Sequence, residues 1–162
     1  MKNLELLKIL RKESLLYDSP IHGLMHWQTV ERNGLYLTQF SGADPIVVSY
    51  FAYFHDCMRE NEGSDPKHGP RGAEFAKKHH EILGLSKDQL HQLCLACSSH
   101  TFGRQATCPT ISTCWDADRL DIGRVGVIPN SKFLITKEAK RIADHGDRKV
   151  LFEFDKKLDK SR

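Results

Sequence analysis

Histidine and aspartate residues recur along the middle of the chain, several of them at the ends of apolar segments. The doublet His55-Asp56 directly follows the apolar run "FAYF". The full set is His26, His55, Asp56, His68, His100 and Asp118. Neutral imidazole nitrogen and carboxylate oxygen together suit Mn, Fe, Co, Ni or Zn, whereas Mg and Ca prefer shells of oxygen. An aspartate also offsets the charge of a metal and can bridge two ions, so this pattern predicts a divalent-metal site.

The first third of the chain predicts three helices, which would position His26 and the His55-Asp56 doublet. Leucines at helical spacing indicate a first helix from about Asn3 to Asp18. Ser19-Pro20, a cap residue followed by proline, is typical of a helix start and would open a second helix that carries His26. Asp44-Pro45 begins the third helix in the same way, and this apolar helix ends at the doublet.

The remainder of the chain is also helical in pattern. Glycines and prolines predict a loop from Arg59 to Pro70, and this loop would carry His68. A fourth helix stops near Gly84, Ser86 caps a fifth, and a sixth begins near Pro109, with one or two more to follow. Strand signals are weak, so we expect an all-α fold. A helix bundle can point side chains from several helices at one metal site.

Composition limits the class of protein. With 162 residues the chain is long enough for one domain, which we expect to cover 1–162. The formal charge of +3, with acids and bases mixed, does not indicate nucleic-acid binding. No apolar run approaches the roughly 20 residues that span a bilayer, and the charged N-terminal segment is unlike a signal peptide. The five cysteines are then best explained as reduced thiols, so we expect a cytoplasmic protein without a membrane partner.

Other residues with ligand chemistry have simpler interpretations. Cys94 and Cys97 form only half of a zinc motif, and their mid-helix position favours small buried side chains. His22 lies four residues before His26 and would share a helix face with it, so we expect it in the pocket or hydrogen-bonded behind a ligand. Asp121, three residues after the last candidate ligand, could orient a ligating histidine in the same way.

The order H…HD…H…H…D resembles the signature of the HD-domain superfamily of metal-dependent phosphohydrolases. "HWQTV" resembles the motif of the first histidine, "FHD" the doublet and "SSH" the histidine of a second metal. "DADRLD" resembles the closing aspartate motif, in which the second aspartate is the ligand. The resemblance spans about residues 19–126 and implies a compact helical bundle, here as a stand-alone HD domain. This agrees with the all-α expectation drawn from the helical pattern.

By this resemblance one divalent ion would be held by His26, His55, Asp56 and Asp118. His68 and His100 match the additional histidines of two-metal members, and Asp56 would then bridge the two ions. His68 matches less closely because the pattern places it in a loop, so one ion and two are equally open. The metal is open among Mn, Fe, Co, Ni, Zn and Mg.

The resemblance implies hydrolysis of a phosphoester in a small phosphorylated molecule such as a nucleotide. A metal-bound water becomes hydroxide near neutral pH, and the metal neutralises charge on the phosphoryl oxygens. Asp56 and Arg59 are the expected catalytic residues, since Arg59 lies close to the doublet in the sequence. Arg71 and Arg119 are further candidates for binding the substrate, together with Arg59 itself and His22.

Three alternatives keep the same residues but change the function. Some HD-fold proteins carry a di-iron centre and activate oxygen, and the six-ligand set also allows this chemistry. A non-catalytic module would bind a nucleotide without turning it over. A purely structural metal would need a closed coordination shell and would be required for folding. The oligomeric state is left open.

Overall fold

The computed structural model describes residues 3–106 and 108–160, and these residues form nine α-helices and two short 3-10 helices without a strand. The α-helices are α1 (Leu4–Glu13), α2 (Leu24–Ser41), α3 (Pro45–Phe54), α4 (His68–Lys78), α5 (His80–Leu83), α6 (Lys87–Ser99), α7 (Pro109–Arg119), α8 (Lys137–His145) and α9 (Lys149–Lys160). The 3-10 helices, Ile122–Val125 and Ser131–Phe133, lie between α7 and α8. The predicted all-α fold class is confirmed.

The main hydrophobic core lies between α2, α3, α4, α6 and α7. Trp27, Phe51, Phe54 and Leu93 are completely buried there. A smaller cluster, in which Leu37 of α2 meets Ile142 of α8, attaches the last two helices to this bundle. Within the described part of the chain, no helix is both long and apolar enough to cross a membrane.

Most of the predicted helix starts are confirmed, together with the chemistry that caps them. Asp44 accepts hydrogen bonds from the backbone N–H groups of Ile46 and Val47, and Pro45 occupies the first turn of α3. Ser86 and Gln89 form a reciprocal capping box at the start of α6. Such caps satisfy backbone donors that a helix end otherwise leaves without a partner. Three of the six candidate ligands lie at or next to the C-terminal ends of these two helices.

The start of the second helix was predicted wrongly. α1 ends at Glu13, and α2 begins at Leu24 instead of directly after Ser19-Pro20. The Ser19 hydroxyl does accept hydrogen bonds, but from the N–H groups of a turn that contains His22. Gly23 then approaches the backbone carbonyl of Tyr17 so closely that a Cβ would overlap it. His22 therefore lies in a turn before α2 and does not share a helix face with His26.

The fourth helix begins earlier than predicted and is interrupted. α4 starts at His68, inside the predicted loop, with Gly69 and Pro70 in its first turn. Proline is tolerated there because the first N–H groups of a helix have no partner within the helix. The helix is interrupted at His79, and the short α5 follows. Gly84, in the left-handed region (φ 62°), caps the end of α5. His68 is thus held by a helix end rather than by a loop.

Gly72 permits the close packing of α4 against the end of α3. A Cβ at this position would overlap the carbonyl oxygen of Phe54, which belongs to the backbone and cannot easily move aside. We expect Gly72→Ala to lower the free energy of unfolding by about 1–3 kcal/mol, as overpacked cores do. Urea denaturation measures this change.

Gly63→Ala is the matched control, because Gly63 is exposed and the nearest atom to an added Cβ, a side-chain oxygen, is 3.4 Å away. Its expected effect is within about 0.5 kcal/mol. Equal stability of the two variants would contradict the close approach of α3 and α4.

Candidate metal centre

The end of α3 fixes the orientation of His55. The ring is completely buried and stacks on Phe51 with a centroid separation of 5.0 Å. Its Nδ1 lies 3.2 Å from the carbonyl oxygen of Phe51 and 3.0 Å from that of Ala52. Burial lowers the pKa of His55 to about 3, against the opposing effect of nearby aspartates, so the ring is neutral. Its Nε2 therefore offers a lone pair to the interior of the bundle.

A first cluster of ligand atoms forms around His55. His26 Nε2 lies 3.1 Å from His55 Nε2 and 3.4 Å from Asp118 Oδ1. His55 Nε2 is 3.7 Å from the same Asp118 oxygen. These three residues come from α2, from the end of α3 and from α7, and their ligand atoms lie together closely enough to hold one metal ion.

A second cluster forms where α4 begins and α6 ends. His68 Nε2 lies 2.9 Å from His100 Nε2 and 3.1 Å from Asp56 Oδ1. The hydroxyl of Thr101 is 3.4 Å from both of these histidine nitrogens. His68, His100 and Asp56 are all buried and could hold a second ion.

Asp56 belongs to both clusters. Its Oδ1 faces the second cluster, whereas its Oδ2 lies 3.7 Å from the Nε2 atoms of both His26 and His55. Burial raises the pKa of Asp56, but His55 and hydrogen bonds from neighbouring histidines outweigh burial, so the pKa lies well below its usual range. An ionised carboxylate with one oxygen toward each cluster has the geometry of a bridging ligand.

The four histidines fit metal ions better than they fit one another. The Nδ1 atoms of His55, His68 and His100 each face a backbone carbonyl, which can only accept a hydrogen bond. His26 Nδ1 faces the Asp121 carboxylate at 2.7 Å. Each Nδ1 therefore carries the proton, and a neutral ring then presents a lone pair at Nε2. The Nε2 lone pairs of His26 and His55 face each other at 3.1 Å, and those of His68 and His100 at 2.9 Å. The two lone pairs of each pair repel unless a proton or a cation lies between them. Two divalent ions with nitrogen and oxygen ligands satisfy the whole set.

Asp121 lies where the sequence allowed a carboxylate that orients a ligating histidine. Its carboxylate accepts from the Nδ1–H of His26, which fixes the ring orientation and would make Nε2 a stronger ligand. We expect Asp121→Ala to weaken metal binding by about 10- to 100-fold, the range for residues that orient a ligand. The affinity is measured by isothermal titration calorimetry, in which Mn or Co is added to the metal-free protein. Asp144→Ala, which alters an exposed carboxylate in α8, is the control and should leave the affinity unchanged.

A pocket of about 360 Å³ opens beside the two clusters. Asp56, His68, His100 and Asp118 contribute to its lining, and the Asp118 side chain keeps 18% of its surface exposed. Four arginines also line it: Arg59, Arg104, Arg119 and Arg124. Side chains from residues 122–134 complete the wall. The pocket thus joins the candidate metal ligands to a concentration of positive charge.

The predicted substrate-binding residues fall into different places. Arg59 lines the pocket, and its Nε donates to Asp56 Oδ1 at 3.0 Å. Arg119 lines it too, but its guanidinium donates to the backbone carbonyls of His100, Gly103 and Phe133. These contacts restrain Arg119 and tie together the segments on either side of the pocket.

Arg71 and His22 do not line this pocket. Arg71 donates to the carbonyl of Met58 at 2.9 Å and to Asp65 Oδ2 at 2.5 Å, and it borders a separate, shallower depression. It thereby supports the loop whose Asp65 carbonyl accepts a hydrogen bond from Nδ1 of His68. His22 lies behind the centre, with Nδ1 2.9 Å from Asp56 Oδ2.

Sequence reasoning missed Arg104, Arg124 and the wall formed by residues 122–134. The available signal was proximity, because Arg104 follows the "SSH" motif by four residues and Arg124 follows "DADRLD" by three. Neither arginine belongs to an apolar helical pattern. Their approach to the pocket depends on irregular segments that follow α6 and α7.

Comparisons with known proteins support the fold. No model of a known protein family matches the chain, and no curated protein matches it either. Among solved structures, it is similar to the crystal structure of a predicted HD superfamily hydrolase from an uncultured Thermotogales bacterium. The two are 25% identical with a TM-score of 0.70, and the match covers 98% of this chain and 92% of the other. The predicted compact HD bundle is therefore confirmed, and the similarity supports the resemblance to the HD-domain superfamily.

Proposed function

We propose that the protein is a divalent-metal-dependent phosphohydrolase that cleaves a phosphate ester of a small molecule, with nucleotides as the class to test first. One observation carries the proposal: a single pocket joins four of the six candidate ligands to four arginine side chains. The name of the similar crystal structure, a predicted HD superfamily hydrolase, supports hydrolysis in general.

The charge in the pocket suits an anion. Burial and repulsion from Arg104 lower the pKa of Arg119, against the opposing effect of Asp116 and Asp118. The guanidinium of Arg119 donates hydrogen bonds to neutral backbone carbonyls and to no carboxylate in these contacts. A phosphate bound between these guanidinium groups would relieve their mutual repulsion and accept their N–H donors.

Each residue of the centre has a defined part in the reaction. When bound, divalent ions supply Lewis acidity toward the phosphoryl oxygens and make a water molecule more acidic. Asp56 fixes the position of the two clusters relative to each other, because one of its carboxylate oxygens faces each cluster. Arg59 restrains Asp56 and adds positive charge at the same end of the pocket. Arg104 and Arg124 line the same pocket and would bind the non-reacting oxygens of the phosphate, where charge develops in the transition state.

The test is an activity panel on protein of known metal content. Metal-free protein is reloaded with Mn, Fe, Co, Ni, Zn or Mg. Hydrolysis is then measured as release of inorganic phosphate from phosphomonoesters and as release of the alcohol from phosphodiesters. We expect release from at least one ester class with at least one metal, with loss of activity on chelation and recovery on reloading. Metal-loaded protein that hydrolyses none of these esters would contradict the proposal. Oxygen consumption by the iron-loaded protein would instead favour an oxygenase.

A further inference from the structure

The pocket has an apolar side that bound phosphate alone does not explain. All of its apolar lining comes from one segment, residues 122–134, which contributes Ile122, Val127, Ile128, Pro129, Phe133 and Leu134. Three of these side chains are largely exposed: Val127 at 49%, Ile128 at 84% and Phe133 at 51%. Large apolar side chains that line a pocket beside a charged centre can be covered by the apolar part of a ligand.

The same side of the pocket offers a flat surface. The guanidinium carbon of Arg104 lies 5.0 Å from the ring centre of Phe133, within the range of a cation–π contact. Both groups are planar, and both line the pocket. Aromatic rings and guanidinium planes are surfaces on which flat heterocycles stack.

This apolar segment is held against the metal-bearing helix. Arg119, next to the ligand Asp118, donates to the carbonyl of Phe133 at 2.9 Å. The buried carboxylate of Asp116 accepts from the N–H groups of Ile135 and Thr136 at 2.9 and 2.6 Å. Two side chains of α7 therefore fix the end of the segment relative to the candidate centre. The apolar surface is thus pre-positioned beside the place where the phosphate would bind.

We infer that the substrate is a phosphate ester whose organic part carries a flat aromatic group, and that Val127, Ile128 and Phe133 bind this group. The inference rests on the proposed phosphohydrolase function and names its substrate class. The arginines would bind the phosphate while the 122–134 segment binds the aromatic group, so one pocket of about 360 Å³ accommodates both parts. Two sources share this chemistry, the base of a nucleotide and the ring of an aryl phosphate.

The test compares two substrates with the same reacting bond. Adenosine 5′-monophosphate and ribose 5-phosphate both release phosphate from a primary 5′ oxygen, so their difference reports the binding of the base. We expect kcat/KM of the metal-loaded protein to favour the nucleotide by about 10- to 100-fold, the range for an apolar contact in a specificity pocket. Phe133→Ala and the double variant Val127→Ala/Ile128→Ala should each reduce this preference to within about threefold. Turnover of ribose 5-phosphate should fall much less than that of the nucleotide, because only the nucleotide carries a base for these side chains to bind.

Phe40→Ala is the matched control, since Phe40 is also an exposed phenylalanine (59%) but does not line the pocket. It should keep the full preference for the nucleotide. Phenyl phosphate separates the two sources. If Phe133→Ala lowers the turnover of phenyl phosphate as much as that of the nucleotide, the site binds any aromatic ring. A smaller effect on phenyl phosphate indicates a site for the base.

Two results would overturn the inference: equal kcat/KM for the two matched substrates, or an equal loss for both in Phe133→Ala. Binding of both compounds to the metal-loaded protein is measured by calorimetry in parallel. If neither compound is hydrolysed, the proposed function fails separately. In that case tighter binding of the nucleotide, lost in Phe133→Ala, upholds the aromatic site, and equal binding refutes it.

Discussion

Asp56→Asn is expected to abolish hydrolysis, with kcat reduced by about 10³-fold or more, as when a group that stabilises charge at a reacting centre is removed. Asp56 has one oxygen in each ligand cluster. An asparagine offers a single oxygen, carries no negative charge and places an NH₂ group toward one of the two clusters. We therefore expect the variant to lose at least one of the two ions as well as activity.

The measurement combines turnover with metal content per chain, after each variant has been reloaded with the same metal. Circular dichroism establishes that the variant keeps its helices. Asp88→Asn, which changes an exposed carboxylate in the first turn of α6, is the control and should keep both metal and rate. Asp56→Asn with a rate within tenfold of the unchanged protein would contradict the bridging role.

His68→Ala is expected to reduce the metal content from two ions to one and to lower kcat by about 10²- to 10³-fold, as when one charge-stabilising group at a reacting centre is removed. His68 and His100 share the second cluster, with their Nε2 atoms 2.9 Å apart. Once one of them is removed, the other has little left to contribute. The double variant His68→Ala/His100→Ala should therefore be no slower than either single variant within about threefold, because residues that act as a unit are not additive.

Metal content and steady-state rates of the three variants test this coupling. His80→Ala is the control, since His80 is an exposed histidine at the start of α5. Losses that multiply in the double variant, or two ions retained in His68→Ala, would show that these histidines do not share a metal.

The grouping of the candidate ligands was predictable from the sequence because helices position these residues. His55 and Asp56 follow a helix whose Asp44-Pro45 start is plain from residue types, and the end of that helix then orients the doublet. The "DADRLD" motif lies at the end of α7, so Asp118 and Asp121 reach the same histidine from consecutive turns. In both cases, local chemistry determines where the side chain points.

The remaining features depend on contacts between segments far apart in the sequence. Ser19 is a suitable helix cap, but it caps a turn, because Gly23 lies against the carbonyl of Tyr17. Arg71 is close in sequence to the candidate ligand His68, yet its guanidinium donates to Asp65 and does not line the pocket. The direction of such a long side chain depends on which acceptor the fold brings close to it, and residue types alone do not determine this.

The position of the apolar segment, residues 122–134, could not be predicted for a similar reason. Residues 122–134 have no regular period, and their position is set by hydrogen bonds to Asp116 and Arg119. The sequence pattern indicated Arg119 as a substrate-binding residue, whereas its guanidinium also donates to the carbonyl of Phe133. Asp116 and Arg119 flank the candidate ligand Asp118, so α7 supports both the 122–134 segment and the candidate metal centre.

Anomalous diffraction from crystals of the protein loaded with Mn or Co is the most direct test of a two-metal centre bridged by Asp56. We predict two anomalous peaks per chain. One should lie among His26, His55 and Asp118, the other beside His68 and His100, with the Asp56 carboxylate between them. A single peak in the first cluster would contradict the two-metal centre, and no peak at either cluster in fully loaded protein would contradict the metal site itself.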